Sequence, residues 1–157
     1  MKIDLLKYES YIKMIKNSVG SKMFRNLYLE INGKKIDATQ NGKYSCAFFV
    51  SNVLLIWGLI SEGHASVLST IRDMEKSGWK KIAPDRAKAG DVIVWDKEKS
   101  SDKSYYYSRE HYHNGFYIGG QKAISNSSNG KGVPIIHHWT YNNRRNIVAI
   151  YRYSKFK

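Results

Sequence analysis

The sequence predicts an α+β fold in which helices come first and a meander of short strands follows. Apolar residues recur at helical spacing before Gly78, whereas short apolar runs separated by turn residues dominate after it. The chain has 157 residues, of which 42% are hydrophobic and only two are proline, and this composition suits one domain with a substantial core. Helices followed by consecutive strands favour an antiparallel sheet, here of about five strands.

The first predicted element is an amphipathic helix. Asp4 is a candidate N-cap, because its carboxylate can accept hydrogen bonds from the unpaired N–H groups of a first turn, and Gly20 is a candidate stop. The helix would pack through five apolar side chains at helical spacing, which are Leu5, Tyr8, Ile12, Ile15 and Val19.

A β-hairpin is predicted next. Asn32-Gly33 is a dipeptide preferred in two-residue turns because both positions accept a positive φ, and it separates the segments 27–31 and 34–37. We therefore expect one domain over residues 1–157, in which residues 1–40 form a helix and hairpin extension of a core that spans residues 41–157.

Two more helices are predicted in the first half of the core. The segment 46–59 has hardly any polar face, and a helix that is apolar all round belongs in the centre of a domain. A further helix covers about 66–77 and stops at Gly78. The central helix is expected to pack against the sheet.

Strands and one long loop are predicted in the second half of the core. The polar, tyrosine-rich segment between Asp96 and Tyr112 is expected to be a surface loop near the mouth of any cleft. The predicted strands cover residues 91–95, 114–118, 122–125, 133–137 and 147–151.

The charge of the chain is strongly positive. A formal net charge of +13 favours polyanions such as nucleic acid, anionic cell-wall polymers or acidic membrane surfaces, without choosing among them. No stretch approaches the ~20 apolar residues of a membrane span, and the charged N-terminus lacks the apolar centre of a secretory signal. We expect a soluble monomer made in the cytoplasm, which something else must release or deliver if it acts outside the cell.

Cys46 is the only cysteine, so an internal disulfide is excluded. It lies where the polar segment 41–45 becomes the apolar central helix. A thiolate at a helix N-terminus is stabilised by the helix dipole and by unpaired N–H groups, which predicts a lowered pKa. A lone cysteine can instead be a small buried hydrophobe. The position at the helix start favours a nucleophile.

Three motifs in order carry a resemblance to a known family. Tyr44–Val50, Ala89–Trp95 and His113–Gly119 resemble the signatures of the NlpC-type cell-wall cysteine peptidases, a papain-like superfamily that includes the CHAP amidases. The resemblance spans roughly residues 41–151. It implies a papain-like fold, a catalytic core over residues 41–157, cleavage of amide bonds in bacterial peptidoglycan, and no metal or other cofactor. An N-terminus without the pattern of a secretory signal would suit a phage endolysin or an effector that a secretion machine delivers.

The residues themselves agree with this chemistry. A cysteine amidase needs a thiolate, here from Cys46, and a histidine, here His113, that stabilises the thiolate and later protonates the leaving amine. The N–H of the cysteine is a natural oxyanion donor. Tyr44 and Ser45 are candidates to line the cleft or help the oxyanion hole, although capping and packing explain them equally well.

The residue that orients His113 is predicted from strand parity. A two-residue loop after the His113 strand puts Asn126 on the same face, whereas a three-residue loop brings Ser125 there. An amide orients imidazole better than a hydroxyl does, so Asn126 is preferred. His137 and His138 are alternatives for this role or for substrate contact, and at most one of them faces the site because they are adjacent on a strand.

Other functions remain open at this point. An acyltransferase or a protein deamidase would use the same thioester, and a basic nucleic-acid-binding protein on this scaffold would use the charge alone. A zinc site built from the histidines lacks a patterned carboxylate, so we predict no metal.

Overall fold

The computed structural model describes residues 1–98, 111–127 and 131–156, and within them it contains three α-helices and eight strands. The helices are α1 (Lys7–Asn17), α2 (Cys46–Ile56) and α3 (Val67–Ser77). The strands are β1 (Tyr28–Ile31), β2 (Lys34–Asp37), β3 (Trp79–Ile82), β4 (Val92–Glu98), β5 (His111–Gly119), β6 (Lys122–Asn126), β7 (Pro134–His138) and β8 (Ile147–Tyr153). The predicted α+β class is confirmed, and no helix in the described ranges is long and apolar enough to cross a membrane.

The strands form two antiparallel sheets. β1 and β2 make the predicted hairpin, and the other six strands form one sheet in the order β3-β8-β4-β5-β6-β7. β5 therefore lies between β4 and β6, so its side chains contact those of both neighbours. Most of the predicted surface loop between β4 and β5, residues 99–110, lies outside the described residues.

The strand β3 was not predicted. It has only four residues, two of which are exposed lysines, so it lacks the alternating apolar pattern of the other strands. Gly78 adopts a left-handed conformation with φ of +104° that ends α3, and the chain then continues directly into β3. The large sheet consequently has six strands instead of about five.

The central helix α2 is buried over its first turns. Phe49, Val50 and Val53 are fully buried against the sheet, as the apolar sequence predicts. The end of the helix emerges from the core, because Ile56 is 56% exposed. The prediction of a helix buried all round is therefore correct only for its N-terminal part, which is the part that carries Cys46.

The helix α1 begins later than predicted. Its N-cap residue is Leu6, which provides no side-chain cap, whereas Asp4 pairs with Lys2 at 3.1 Å outside the helix. The buried face of the helix includes Tyr11, whose hydroxyl donates to the Gly90 carbonyl at 2.8 Å. This hydrogen bond ties the N-terminal extension to the turn that precedes β4.

Candidate active site

A tight loop delivers Cys46 to the first position of α2. Gly42 has a φ of +93° and packs closely on Gly132, so a side chain on Gly42 would collide with the Gly132 backbone and one on Gly132 with the Asn41 carbonyl. Ser45 is fully buried, and its hydroxyl donates to the Gly42 carbonyl at 3.3 Å instead of capping the helix. The loop leaves Cys46 partly exposed at the start of the helix.

The Cys46 sulfur lies against β5. The backbone N–H of Asn114 is within hydrogen-bonding reach of the sulfur, as is that of Ala47. Asn114 directly follows His113 in the chain. The Cys46 thiol therefore meets the sheet next to the residue that follows the predicted catalytic histidine.

Burial controls the ionisation of this thiol. It raises the pKa of Cys46 above the ordinary value of 9.0, and the opposing effects of the Asn114 and Ala47 N–H groups and of the Arg145 charge are smaller. The predicted lowering of the pKa at the helix N-terminus is therefore wrong, because loss of water outweighs the favourable dipoles. At neutral pH the Cys46 side chain is therefore a neutral thiol.

His113 is a buried, neutral imidazole. Its side chain is only 7% exposed and lies opposite Trp95 of β4, with the two ring centroids 5.2 Å apart. Burial lowers the pKa of His113 well below 6.5, and the nearby charges of Arg145 and His137 lower it further. The ring is therefore unprotonated at neutral pH, which is the form that accepts a proton.

Ser125 of β6 is the hydrogen-bond partner of this ring. Its Oγ lies 2.9 Å from Nε2 of His113, 2.7 Å from Nε2 of His137 and 2.9 Å from the hydroxyl of Tyr141. Because Nε2 of His113 faces Ser125, Nδ1 is the ring nitrogen that takes no part in this contact. Within the described residues, no group of three His, Cys, Asp or Glu side chains is placed to hold a metal ion.

A β-bulge decides which residue of β6 faces His113. The loop after β5 is the two-residue loop Gly120-Gln121, and Gly119 pairs with Lys122 beside it. Between Gly119 and Tyr117 the pairing of β5 with β6 shifts in register by one residue. The shift inverts the parity of β6, so that Ser125 rather than Asn126 shares the face of the histidine.

Gly115 allows β5 and β6 to approach at this point. A Cβ atom on Gly115 would lie 2.6 Å from the Cβ of Ser125 and from the carbonyl oxygen of Ile124, and 3.1 Å from the Trp95 ring. Any side chain there would push apart the groups that surround the histidine. Close approach of neighbouring groups is thus the reason for glycine in this strand.

Asn126 has a different position from the one predicted. Its amide nitrogen donates to the carbonyl of Gly42, and its side chain is 2% exposed on the opposite face from His113. Its Oδ1 has no hydrogen-bond partner among the described residues, and neither do the side-chain polar atoms of Asn114. The predicted pairing of Asn126 with His113 is corrected: Asn126 instead braces the loop before Cys46.

The remaining predicted site residues lie around this centre. The partly buried ring of Tyr44 packs near that of His111, with centroids 5.9 Å apart. His138 points away from Ser125, and its Nδ1 accepts from the backbone N–H of Thr140 at 3.2 Å. Of the two adjacent histidines, His137 is therefore the one that faces the site.

Two aromatic residues of the site were not predicted as functional. Trp95 of β4 is fully buried beneath the rings of His113, His137 and Tyr141. Tyr141 lies in the turn after β7, with a positive φ of 52°, and no sequence pattern pointed to it. Its ring stacks on that of His137 with centroids 4.0 Å apart.

Comparison with solved structures supports the predicted fold. NlpC2 from Trichomonas vaginalis is similar to this chain, with a TM-score of 0.52 and 18% sequence identity. The alignment covers 97% of this chain and 48% of that one, so the chain spans about half the length of that structure. The likeness confirms the NlpC-type papain-like fold.

Comparison with protein families gives the relationship by sequence. No curated protein matches the chain. A family model described as "Bacteriophage peptidoglycan hydrolase" matches residues 36–157, which include Cys46, His113 and Ser125. The match covers most of the chain and agrees with the three motifs. This chain therefore belongs to the bacteriophage peptidoglycan hydrolase family.

Proposed function

We propose that the protein is a cysteine amidase or peptidase that hydrolyses amide bonds of bacterial peptidoglycan through a thioester on Cys46. One observation carries the proposal: the Cys46 sulfur lies at the first turn of α2, against the residue that follows His113. A nucleophile beside a buried neutral imidazole is the pair that acyl transfer requires. The family supports the wall as substrate.

In the proposed reaction the thiol and the imidazole exchange one proton. The Cys46 S–H transfers its proton to Nδ1 of His113 as the sulfur attacks the amide carbonyl carbon. N–H groups in the first turn of α2, which have no acceptor within the helix, would bind the oxyanion. His113 then protonates the leaving amine, the C–N bond breaks, and water activated by His113 hydrolyses the thioester.

The electrostatics favour proton transfer during attack over a preformed ion pair. The pKa of the thiol is raised and that of the imidazole is lowered, both chiefly by burial, so the resting pair is neutral. Negative charge that develops on sulfur would be stabilised by Arg145, which already acts to lower the thiol pKa.

We assign the remaining predicted residues as follows. Ser125 orients His113, Asn126 and Ser45 hold the loop before the nucleophile, and Tyr44 lines the cleft. The proposed organisation is one monomeric domain, with a catalytic core over residues 41–157 and residues 1–40 packed on it as an extension. The charge of +13 would hold the protein on anionic wall polymers after release at lysis or delivery by a secretion machine.

Mass spectrometry of purified peptidoglycan tests the proposal. The wall is incubated under reducing conditions with the native protein, with Cys46→Ala and with the near-isosteric Cys46→Ser. We expect new amine and carboxyl termini from the native protein alone, and the fragment masses identify the bond that is cut. Intact muropeptides in all three samples, with the thiol shown to be free, would contradict wall hydrolysis.

The same samples separate the other functions. An acyltransferase would join the released acyl group to an added amine, and a deamidase would release ammonia without cutting the chain. A nucleic-acid-binding protein would bind with the same affinity and salt dependence in the native and Cys46→Ala forms.

A further inference from the structure

We propose that His137 is a positioning residue that fixes the tautomer of His113, acting through the hydroxyl group of Ser125. This inference rests on the proposed role of His113 as the proton acceptor of Cys46. Three hydrogen bonds connect the His138 carbonyl to His137, His137 to Ser125, and Ser125 to His113, and in the first of them the carbonyl can only accept.

The first link fixes the tautomer of His137. Its Nδ1 lies 2.8 Å from the carbonyl oxygen of His138, and a carbonyl only accepts, so Nδ1 carries the hydrogen. A neutral imidazole has one N–H, which leaves Nε2 of His137 as an acceptor. Burial and the charge of Arg145 lower the pKa of His137, which favours this neutral form although the carbonyl contact opposes it.

The second link fixes the direction of the Ser125 hydroxyl. A serine hydroxyl has one hydrogen to donate and two lone pairs. Its Oγ is 2.7 Å from Nε2 of His137, the shortest of its three contacts, and the bare nitrogen there takes the hydrogen. Ser125 must then accept from the other two neighbours, Tyr141 and His113, each at 2.9 Å. One donor and two acceptor sites are thus all used.

The third link fixes the tautomer of His113. Because Ser125 accepts at this contact, Nε2 of His113 carries the hydrogen and Nδ1 keeps its lone pair. This is the tautomer that a general base facing the thiol requires. In the opposite tautomer Nδ1 would carry the hydrogen, and His113 could not act as the proposed proton acceptor of Cys46.

The arrangement explains how a serine can orient this histidine. A carboxylate accepts hydrogen bonds only, whereas a hydroxyl can donate as readily as it accepts, so Ser125 alone does not choose a tautomer. His137 removes the ambiguity by taking the one hydroxyl hydrogen. The His137 ring packs against the Tyr141 ring, with centroids 4.0 Å apart, and against the Trp95 ring, with centroids 5.5 Å apart.

Nitrogen NMR of histidine-labelled native protein tests the assignment without substrate or activity. Long-range proton–nitrogen spectra at neutral pH distinguish a protonated from a bare ring nitrogen, and loss of signals in His113→Gln identifies the His113 ring. We expect His113 as the Nε2–H tautomer and His137 as the Nδ1–H tautomer. Either residue in the opposite tautomer would overturn the proposal.

Two matched amide variants then test whether His137 is the cause. His137→Gln places an amide oxygen near the former Nε2 and can accept from Ser125. His137→Asn is shorter by one methylene, so it can keep the contact to the His138 carbonyl but cannot reach Ser125. We expect His137→Gln to retain the Nε2–H tautomer of His113, and His137→Asn to show a mixture with the Nδ1–H tautomer.

Activity gives the second readout of this pair. On peptidoglycan, His137→Asn should lower kcat by about tenfold to a hundredfold at nearly unchanged KM. This is at most the lower limit of general-base effects, which are roughly 10²–10⁴-fold, because the His113 ring remains in place, and His137→Gln should recover most of the loss. An unchanged His113 tautomer in a folded His137→Asn protein would contradict the proposal. If the native protein cut no wall amide, the proposed function would fail while the tautomers remained measurable.

Discussion

Two histidine clusters in this protein are built from similar contacts but differ in charge. In one, Asp73 of α3 lies 2.8 Å from Nε2 of His64 and also accepts hydrogen bonds from the backbone N–H groups of Ser61 and Glu62. In the other, His113 faces a neutral hydroxyl. A histidine beside a carboxylate is the arrangement usually associated with catalysis, yet here it fastens a loop to a helix.

The difference shows what each site requires of its histidine. Although burial opposes it, hydrogen bonds from His64 and Ser61 hold the pKa of Asp73 well below 3.8, so the carboxylate stays ionised and can hold the loop. A carboxylate next to His113 would stabilise its protonated form and raise its pKa. A hydroxyl partner orients the ring and leaves it neutral, which is the form that the proposed general base needs in order to accept a proton.

The largest expected effect comes from removing the negative charge of the Asp73 cluster. In Asp73→Asn, one half of the amide is a donor and would face the N–H groups of Ser61 and Glu62, and the pair with His64 is lost. Breaking a buried pair in this way should lower the free energy of unfolding by about 3–5 kcal/mol. Urea denaturation measures the change.

The matched control for that variant lies on the same helix. Glu75→Gln makes the same chemical change at an exposed residue that accepts from the Tyr151 hydroxyl, and it should change the free energy of unfolding by less than about 0.5 kcal/mol. Folded Asp73→Asn should keep the kcat/KM of the native protein. A loss of activity per folded molecule would show that the two clusters are coupled.

The two clusters should contribute to the free energy of unfolding in different pH ranges. The folded pKa of His113 lies below 6.5, so as the pH falls below 6.5 the unfolded chain gains a proton that the folded protein does not bind. The stabilisation that results from this pKa difference is complete above pH 6.5. It is lost as the pH falls from 6.5 to the folded pKa, by about 1.4 kcal/mol for each unit by which the folded and unfolded pKa values differ. The pKa of His137 is lowered too, so both rings act in this window.

Asp73 contributes to the stability of the fold in a lower pH range. Its folded pKa lies below 3.8, so its stabilisation is present above pH 3.8 and is lost only as the pH falls further. Denaturation between pH 4 and 8 should therefore show a slope in the native protein that His113→Gln reduces and Asp73→Asn leaves in place. An equal slope in the native and His113→Gln proteins would refute the assignment of this window to His113.

Sequence patterns predicted the elements that carry the site more successfully than the contacts between them. The helix begins at Cys46 and the hairpin loop is Gly120-Gln121, both of which local residue preferences encode. The bulge beside that loop was not predictable, because Gly119, Gly120 and Gln121 all have positive φ, and two glycines in a row allow more than one register. This shift of one residue in the register places Ser125, and not Asn126, on the face of His113.

Local sequence patterns also did not predict the ionisation state of Cys46. The start of a helix correctly suggests groups that stabilise a thiolate, and the N–H of Ala47 is one of them. The net pKa of Cys46 is set by burial, which depends on how the sheet and the helix close over the sulfur. Tyr141 was missed for the same reason, since only the packing of β7 beside β6 brings its turn to Ser125.

The smallest expected effect distinguishes Asn126 from Ser125 as the residue that acts on His113. Asn126→Ala removes a hydrogen bond to the Gly42 carbonyl, but it also removes an amide oxygen that is buried without a partner in the described part of the chain. The free energy of unfolding should fall by only about 1 kcal/mol, and activity should fall severalfold because the loop before Cys46 loosens.

The pH profile of kcat/KM is the decisive readout for that variant. Asn126→Ala should leave the acid limb, which reports protonation of the free His113 ring, at its native position. Ser125→Ala should move this limb to lower pH, because the protonated ring loses the acceptor of its Nε2–H. If Asn126→Ala moved the acid limb as Ser125→Ala does, the amide would act on the histidine after all, and the face assigned by the bulge would be wrong.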